Sequence, residues 1–261
     1  MELLEALRLQ WEWGADEALL DAPQDRRHAA PPPEAVPEPP RPRPAAVAKL
    51  VSALPAGPAE ARQLAESCHT LAALEAAMRG FTGCALRDTA TQLVFADGAD
   101  DARLIIVGEA PGAEEDRAGK PFVGPAGQLL DRMLASIGLD RTQVRIINTV
   151  PWRPPGNRTP SEAEIALCLP FLHRQIALVA PRGLLALGAV AAKALLPAEG
   201  GLGIRRLRGT WREAQIAGLP AALPCLATYH PAYLLRTPAA KAEAWRDLLS
   251  VKAWLETLPA H

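Results

Sequence analysis

The sequence predicts an α/β fold: a three-layer αβα sandwich with a central, mostly parallel four-stranded sheet, preceded by a disordered Pro/Ala-rich N-terminal extension. Three observations predict it. Short apolar runs rich in branched residues alternate with amphipathic stretches of helical period. Polar loops leave the carboxyl ends of several of those runs, as in open parallel sheets. Proline and alanine crowd residues 21–58, before the alternation begins.

Taken in order, residues 1–20 carry Leu3, Leu4, Leu7, Trp11, Leu19 and Leu20 at mostly helical spacings. This short segment reads equally as a docking helix for a protein partner or as a helix lying on the main domain. Residues 21–58 hold Pro31-Pro32-Pro33 and Pro37-Glu38-Pro39-Pro40-Arg41-Pro42-Arg43-Pro44, a composition that builds no core and favours extended conformations, hence a linker. Residues 59–261 are the main domain. Its strands are 103–107, 144–149, 183–187 and 225–228; the first, Arg103-Leu104-Ile105-Ile106-Val107, has the apolar, β-branched character of a strand buried on both faces. Amphipathic helices fall at 126–137, 161–179, 189–196 and 239–258. Thr159-Pro160-Ser161-Glu162 combines a capping hydroxyl, a proline at the first helical position and a glutamate able to close a capping box.

Composition narrows the partners. The chain has 261 residues, 49% of them hydrophobic and 22% charged, enough for one sizeable core. A formal net charge of -1 provides no general attraction to nucleic acid, so any such contact needs a local basic patch. Arg205, Arg206, Arg208 and Arg212 supply one in a glycine-bounded stretch, and Arg153, Arg158 and Arg236 fall in other loops. Alone they would be a solvated basic face. No apolar run is long enough to span a membrane and the start lacks a signal-peptide pattern, so the expectation is a cytoplasmic protein without a membrane partner. The four cysteines, Cys68, Cys84, Cys168 and Cys225, form no C-x-x-C pair and read as reduced, buried small hydrophobes.

Three loops carry chemistry at predicted strand ends. The first runs Gly108-Glu109-Ala110-Pro111-Gly112-Ala113-Glu114-Glu115-Asp116 and on to Phe122-Val123-Gly124. The second is 148–158, from Asn148 to Arg158, and the third 228–236, with His230, Tyr233, Leu234 and Arg236. If the strands are neighbours, these loops meet in one crevice. Phe122 offers a stacking face, and the Asn148 carboxamide matches the adjacent N–H and C=O of a pyrimidine edge. His230 can donate to a carbonyl oxygen that becomes anionic as a bond breaks. Glu109 or Glu115 can orient water or offset positive charge on a sugar. Each residue alone also fits a plainer role, as turn, cap or core; jointly they describe cleavage of an N-glycosidic bond.

On these residues the chain resembles the uracil-DNA glycosylase superfamily, family 4 type. The resemblance runs through Gly108-Glu109-Ala110-Pro111-Gly112 with Glu115-Asp116, Gly119-Lys120-Pro121-Phe122-Val123-Gly124, Asn148, Arg153-Pro154-Pro155-Gly156-Asn157-Arg158, Leu207-Arg208-Gly209 and His230-Pro231, covering roughly residues 84–254. It implies a repair enzyme that flips uracil out of DNA and hydrolyses its glycosidic bond. Glu109, Ala110, Phe122 and Asn148 would bind uracil, and Glu115 and His230 would carry the chemistry. Arg158, Arg206, Arg208, Tyr233, Leu234 and Arg236 would contact DNA, the segment 233–236 as a wedge. Ala110 stands where family 1 enzymes carry an aspartate, which shifts the burden to leaving-group stabilisation. With Lys120 the only lysine in these loops, no lyase step is expected. The expected state is a monomer acting on uracil-containing DNA. The alternative is a catalytically weakened uracil-binding or damage-binding adaptor.

One departure concerns the cofactor. The resemblance implies four cysteines holding a 4Fe-4S cluster, and the corresponding positions here are Phe81, Cys84, Trp152 and Cys168. Two thiolates have become large aromatics, so no cluster is expected, with apolar packing in its place.

Overall fold

The computed structural model describes residues 57–259. The N-terminal segment 1–20 and nearly all of the 21–58 linker lie outside the described residues. Three helices open the domain: α1 (Pro58–Ser67), α2 (Leu71–Gly80) and α3 (Ala85–Thr89). The alternating part follows as β1 (Asp97–Gly98), β2 (Leu104–Gly108), α4 (Ala113–Ala118), α5 (Pro125–Ala135), β3 (Val144–Asn148), α6 (Glu162–Val179), β4 (Gly183–Leu187) and α7 (Gly188–Leu195). It ends with α8 (Ile204–Leu207), β5 (Trp211–Ala214), β6 (Leu223–Thr228), α9 (Pro231–Arg236) and α10 (Lys241–Thr257).

The sheet has six strands rather than the four expected, in the order β1-β3-β2-β4-β6-β5. The inner four are the expected ones, and they run parallel. The two additions are antiparallel edges, β1 on β3 and β5 on β6. Neither has an apolar run to announce it. β1 is two residues long, and β5 reads Trp-Arg-Glu-Ala, the half-polar pattern of an edge facing water on one side.

Alternation along the inner strands divides the core into two layers. Leu104, Ile106, Val144, Ile146 and Leu226 face α5 and α10, packing on Leu130, Leu134, Leu248 and Val251. Ile105, Val107, Ile147, Leu184 and Ala227 face α6 and α7, packing on Leu172, Ile176, Ala191 and Leu195. A third apolar cluster joins the opening helices to α6 through Leu74, Phe81, Trp152 and Phe171. Among the described residues no helix is long and apolar enough to cross a membrane.

The start of α6 corrects the capping expectation by two residues. Two overlapping boxes exist in the sequence, and the second forms: the Glu164 N–H donates to the Ser161 hydroxyl at 3.3 Å, and the Ser161 N–H to the Glu164 carboxylate at 2.7 Å. Arg158 then forks onto the same carboxylate at 2.9 and 2.7 Å and holds it down to about 2. Ser161→Ala should therefore lower unfolding free energy by about 1 kcal/mol in a chemical-denaturation experiment, whereas Thr159→Ala should leave α6 unaffected.

Candidate active site

Register brings the functional loops together. Gly108 pairs with Asn148 across β2 and β3, so both strands end at the same level. The pairing continues past the strands: the Thr149 N–H and hydroxyl donate to the Gly108 carbonyl at 2.9 and 2.8 Å, and the Val150 N–H to the Glu109 carbonyl at 3.0 Å. On the other side of β2, β4 passes straight into α7 at Gly188, whose φ is +88°. A Cβ there would lie 3.0 Å from the His230 Cβ, so the glycine clears the way for His230, which follows β6, to face the β2 loop.

These loops enclose a cavity of about 460 Å³. Of the sequence-derived site residues, Glu109, Ala110, Glu115, Phe122, Asn148 and His230 line it, as do Arg158, Tyr233 and Arg236. Phe122 and His230 face each other with ring centroids 5.4 Å apart. Phe122 has a left-handed backbone, φ +55°, that a non-glycine residue adopts only under constraint. The constraint is visible. Arg141 donates to the Pro121 carbonyl at 3.1 Å and to that of Phe122, and is itself fixed by Asp97 and Asp131, each at 2.7 Å. Gly127 lets the Phe122 carbonyl approach where a Cβ would be only 1.7 Å away, and Gly108 admits the ring.

Glu115 has a role the sequence did not disclose. Its carboxylate accepts from the N–H groups of Gly112, Val123 and Gly124 at 3.1, 3.0 and 2.9 Å. It thus staples the start of α4 to the Phe122 loop while still lining the cavity. Burial pushes the Glu109 carboxyl above the ordinary range, and the Thr159 hydroxyl partly offsets this.

His230 is held in one tautomer. The Ala232 N–H donates to its Nδ1 at 3.2 Å, so the neutral ring carries its proton on Nε2. Burial, aided by the nearby Arg236 charge and opposed by Glu115, lowers its pKa to about 4. The ring is therefore a neutral donor near pH 7. Asn148 is 7% exposed, and its Oδ1 has no hydrogen-bond partner within the protein, an unmet acceptor in a cavity wall.

Two expected DNA-contact residues are not where the resemblance put them. Leu234 is 1% exposed and packs in the α5 and α10 core layer; the apolar residue of the 233–236 segment that faces outward is Leu235, 40% exposed. Arg208 is half-buried, its side chain 15% exposed, and its guanidinium is committed to an ion pair with Asp247. Arg206 is exposed but lies outside the cavity lining. The sequence reading also missed Asn157 and Thr159, which line the cavity, although both stand in or beside the loop already singled out.

The 4Fe-4S group does not fit the residues present. Phe81 and Trp152 are 4% and 2% exposed inside one apolar cluster with Phe171, which meets Phe81 edge-on at 5.1 Å. That cluster holds three thiols, Cys68, Cys84 and Cys168, where a cubane needs four, and only Cys84 and Cys168 stand at positions the resemblance assigns to ligands. They interact instead with each other: the hydrogen bond from Cys168 lowers the Cys84 pKa to about 7, while the same bond and burial push Cys168 well up. Among the described residues no group of three or more His, Cys, Asp or Glu is arranged to hold a metal ion.

Fold and cavity together define an α/β protein with a cavity at the carboxyl ends of its parallel strands, lined by Phe122, Asn148 and His230. Residues 95–249 match the profile of the uracil DNA glycosylase superfamily. The type-4 uracil-DNA glycosylase of Pyrobaculum aerophilum is 44% identical over 167 residues, 63% of this chain and 84% of that protein. That of Thermotoga maritima is 41% identical over 59% of this chain and 78% of its own length. The type-5 uracil-DNA glycosylase of Mycobacterium leprae is 33% identical over 58% and 74%. The chain belongs to the uracil DNA glycosylase superfamily and is a glycosylase, a hydrolase of N-glycosyl bonds.

The buried neutral His230 makes stability depend on pH. Its pKa is near 4 folded and about 6.5 unfolded, so between those values the unfolded chain binds the extra proton. Stability is fully present above about pH 6.5 and falls as pH drops towards 4. Calorimetry should find His230→Gln losing less stability than wild type across that interval, by on the order of 3 kcal/mol.

Proposed function

We propose that the chain is a monofunctional uracil-DNA glycosylase: it takes a uracil flipped out of DNA into the cavity and hydrolyses the bond between N1 and C1′, leaving an abasic site. The observation that carries this reading is His230, a neutral imidazole with its proton on Nε2, facing Phe122 across the cavity that Asn148 also lines. Extruded uracil stacks on Phe122, and the Asn148 carboxamide, with its unmet Oδ1, takes the edge formed by N3–H and O4. As the glycosidic bond breaks, its electron pair stays with the base. Nε2–H of His230 donates to O2, where the negative charge collects. Water adds to C1′ and gives up a proton; Glu109, whose carboxyl burial makes more basic than usual, is the group available to take it. The Glu115 staple holds the acidic loop to the stacking loop throughout. Ala110 offers no carboxylate, so leaving-group stabilisation by His230 carries the larger share.

Tyr233 and Arg236 line the cavity and Leu235 is exposed on the same helix, α9, a set suited to fill the gap in the duplex and to meet a phosphate. Arg158 lines the cavity while bound to Glu164. No lyase step is included: Lys120 is exposed and turned to Asp97 at 3.8 Å, and it is not among the cavity residues.

Purified protein on a uracil-containing oligonucleotide should yield alkali-sensitive abasic sites under single-turnover conditions, with no strand break before alkali. His230→Ala should slow this by about 10²–10³-fold while DNA affinity holds. Uracil-DNA binding without cleavage by folded wild type would instead give the adaptor reading.

We further infer that the chain works without an iron-sulfur cluster, its place taken by the packing of Phe81, Trp152 and Phe171. Protein purified without oxygen should show no iron-sulfur absorption band. Trp152→Ala should cost about 3–5 kcal/mol of stability in denaturant titration.

A further inference from the structure

Beside the strand end that leads into His230, a partly buried polar assembly centres on Asp247 and takes no part in the proposed reaction. Asp247, on α10, is 2% exposed. Its carboxylate accepts from the Thr228 hydroxyl at 2.6 Å and from Arg208 Nε at 3.0 Å and Nη2 at 2.5 Å. Arg208 Nη2 also donates to the Glu243 carbonyl at 2.6 Å, and the guanidinium covers the Tyr229 ring at 5.3 Å. One turn before Asp247 on α10, the Glu243 carboxylate accepts from the Tyr229 hydroxyl at 2.8 Å. Gly209 completes the set. Its φ of +73° turns the chain so that its N–H donates to the Ala227 carbonyl at 3.0 Å, and a Cβ there would lie 2.7 Å from the Asp247 carboxylate.

The consequence is positional. Ala227, Thr228 and Tyr229 are each tied, through carbonyl, hydroxyl and phenol respectively, to the turn at Arg208–Gly209 or to α10. The next residue is His230. We propose that Asp247 is a positioning residue for the glycosylase reaction: by holding Arg208 and Thr228 it fixes the strand end from which His230 reaches O2 of the departing base. This rests on the reading of His230 given above. Burying the Asp247 carboxylate and covering most of the Arg208 guanidinium carries a desolvation cost that their attraction only roughly offsets, so apolar packing would stabilise the region about as well. What apolar packing lacks is direction: hydrogen bonds fix Thr228 and Tyr229 in one orientation, and an error of about 1 Å at a reacting group can cost as much as about 10²-fold in rate. Arg208 thereby acquires a role inside the domain in place of the expected phosphate contact.

The test is a double-variant cycle read by single-turnover cleavage, DNA affinity and thermal stability. Thr228→Val removes one hydroxyl and leaves the Arg208–Asp247 pair intact; Asp247→Asn keeps the shape and removes the charge. Each should slow cleavage by about tenfold or more with DNA affinity held within about twofold. Thr228→Ser, which restores the hydroxyl, should recover the rate. In a His230→Ala background neither change should slow cleavage further, because there is no imidazole left to aim. Losses that add in that background, or unchanged cleavage in a folded Thr228→Val, overturn the proposal while leaving the glycosylase reading standing. Failure of wild type to cleave overturns both.

Discussion

Parallel pairing of β2 with β3, in the register that sets Gly108 opposite Asn148, is the constraint on which the site depends. Because the two strands end level and remain tied through Thr149 and Val150, the acidic loop and the asparagine leave the sheet side by side. A slip of one residue would turn Asn148 to the other face and pull the Glu109 carbonyl from its partner. Glycine supplies the remaining clearance. Gly108 admits the Phe122 ring, Gly127 the Phe122 carbonyl and Gly188 the base of His230. The cavity is therefore shaped by missing side chains as much as by those present, and Arg141 holds the left-handed backbone of Phe122 in place.

Charge is handled in the same spirit. Two of the residues lining the cavity are neutral or committed: His230 is kept uncharged by burial, and Glu115 spends its oxygens on three backbone N–H groups. A neutral imidazole gains most from a partner that becomes anionic, since it holds no charge to be repaid in the ground state. Glu115 retains a further effect, since its charge opposes the drop in the His230 pKa. The staple and the donor are thus coupled electrostatically as well as through the Phe122 loop.

Much of this was legible in the sequence, and what was not has identifiable causes. The four inner strands could be read because burial on both faces demands unbroken apolar runs, as in Leu104-Ile105-Ile106-Val107. β1 has no such demand and β5 meets water, so neither left a pattern. Glu109, Phe122, Asn148 and His230 stood out because strand ends do not otherwise need them. Arg208 could not be told from its neighbours, because what distinguishes it from Arg206 is Asp247, 39 residues away along the chain. Leu234 and Leu235 differ only in which side of α9 they occupy, a matter settled by packing against α5. The cap of α6 was ambiguous in a different way, since Thr159 and Ser161 each begin a valid box and the cavity engages Thr159 with Glu109.

Trp152, at a position that the resemblance assigns to a cluster ligand, shows how one cavity loop is held by packing. Trp152 follows β3 by only a few residues and immediately precedes Arg153 and Pro154, and the loop carrying Asn157 and Thr159 to the cavity starts there. A metal cluster would anchor that loop by covalent bonds; Trp152 anchors it by burial beside Phe171 of α6, while Arg158 and Glu164 fix its far end. Apolar packing is non-directional, so on its own it would hold the loop close without setting its angle. The fork from Arg158 to Glu164 supplies the missing direction. The loop is thus held by two complementary interactions, a buried aromatic that keeps it close and an ion pair that sets its direction.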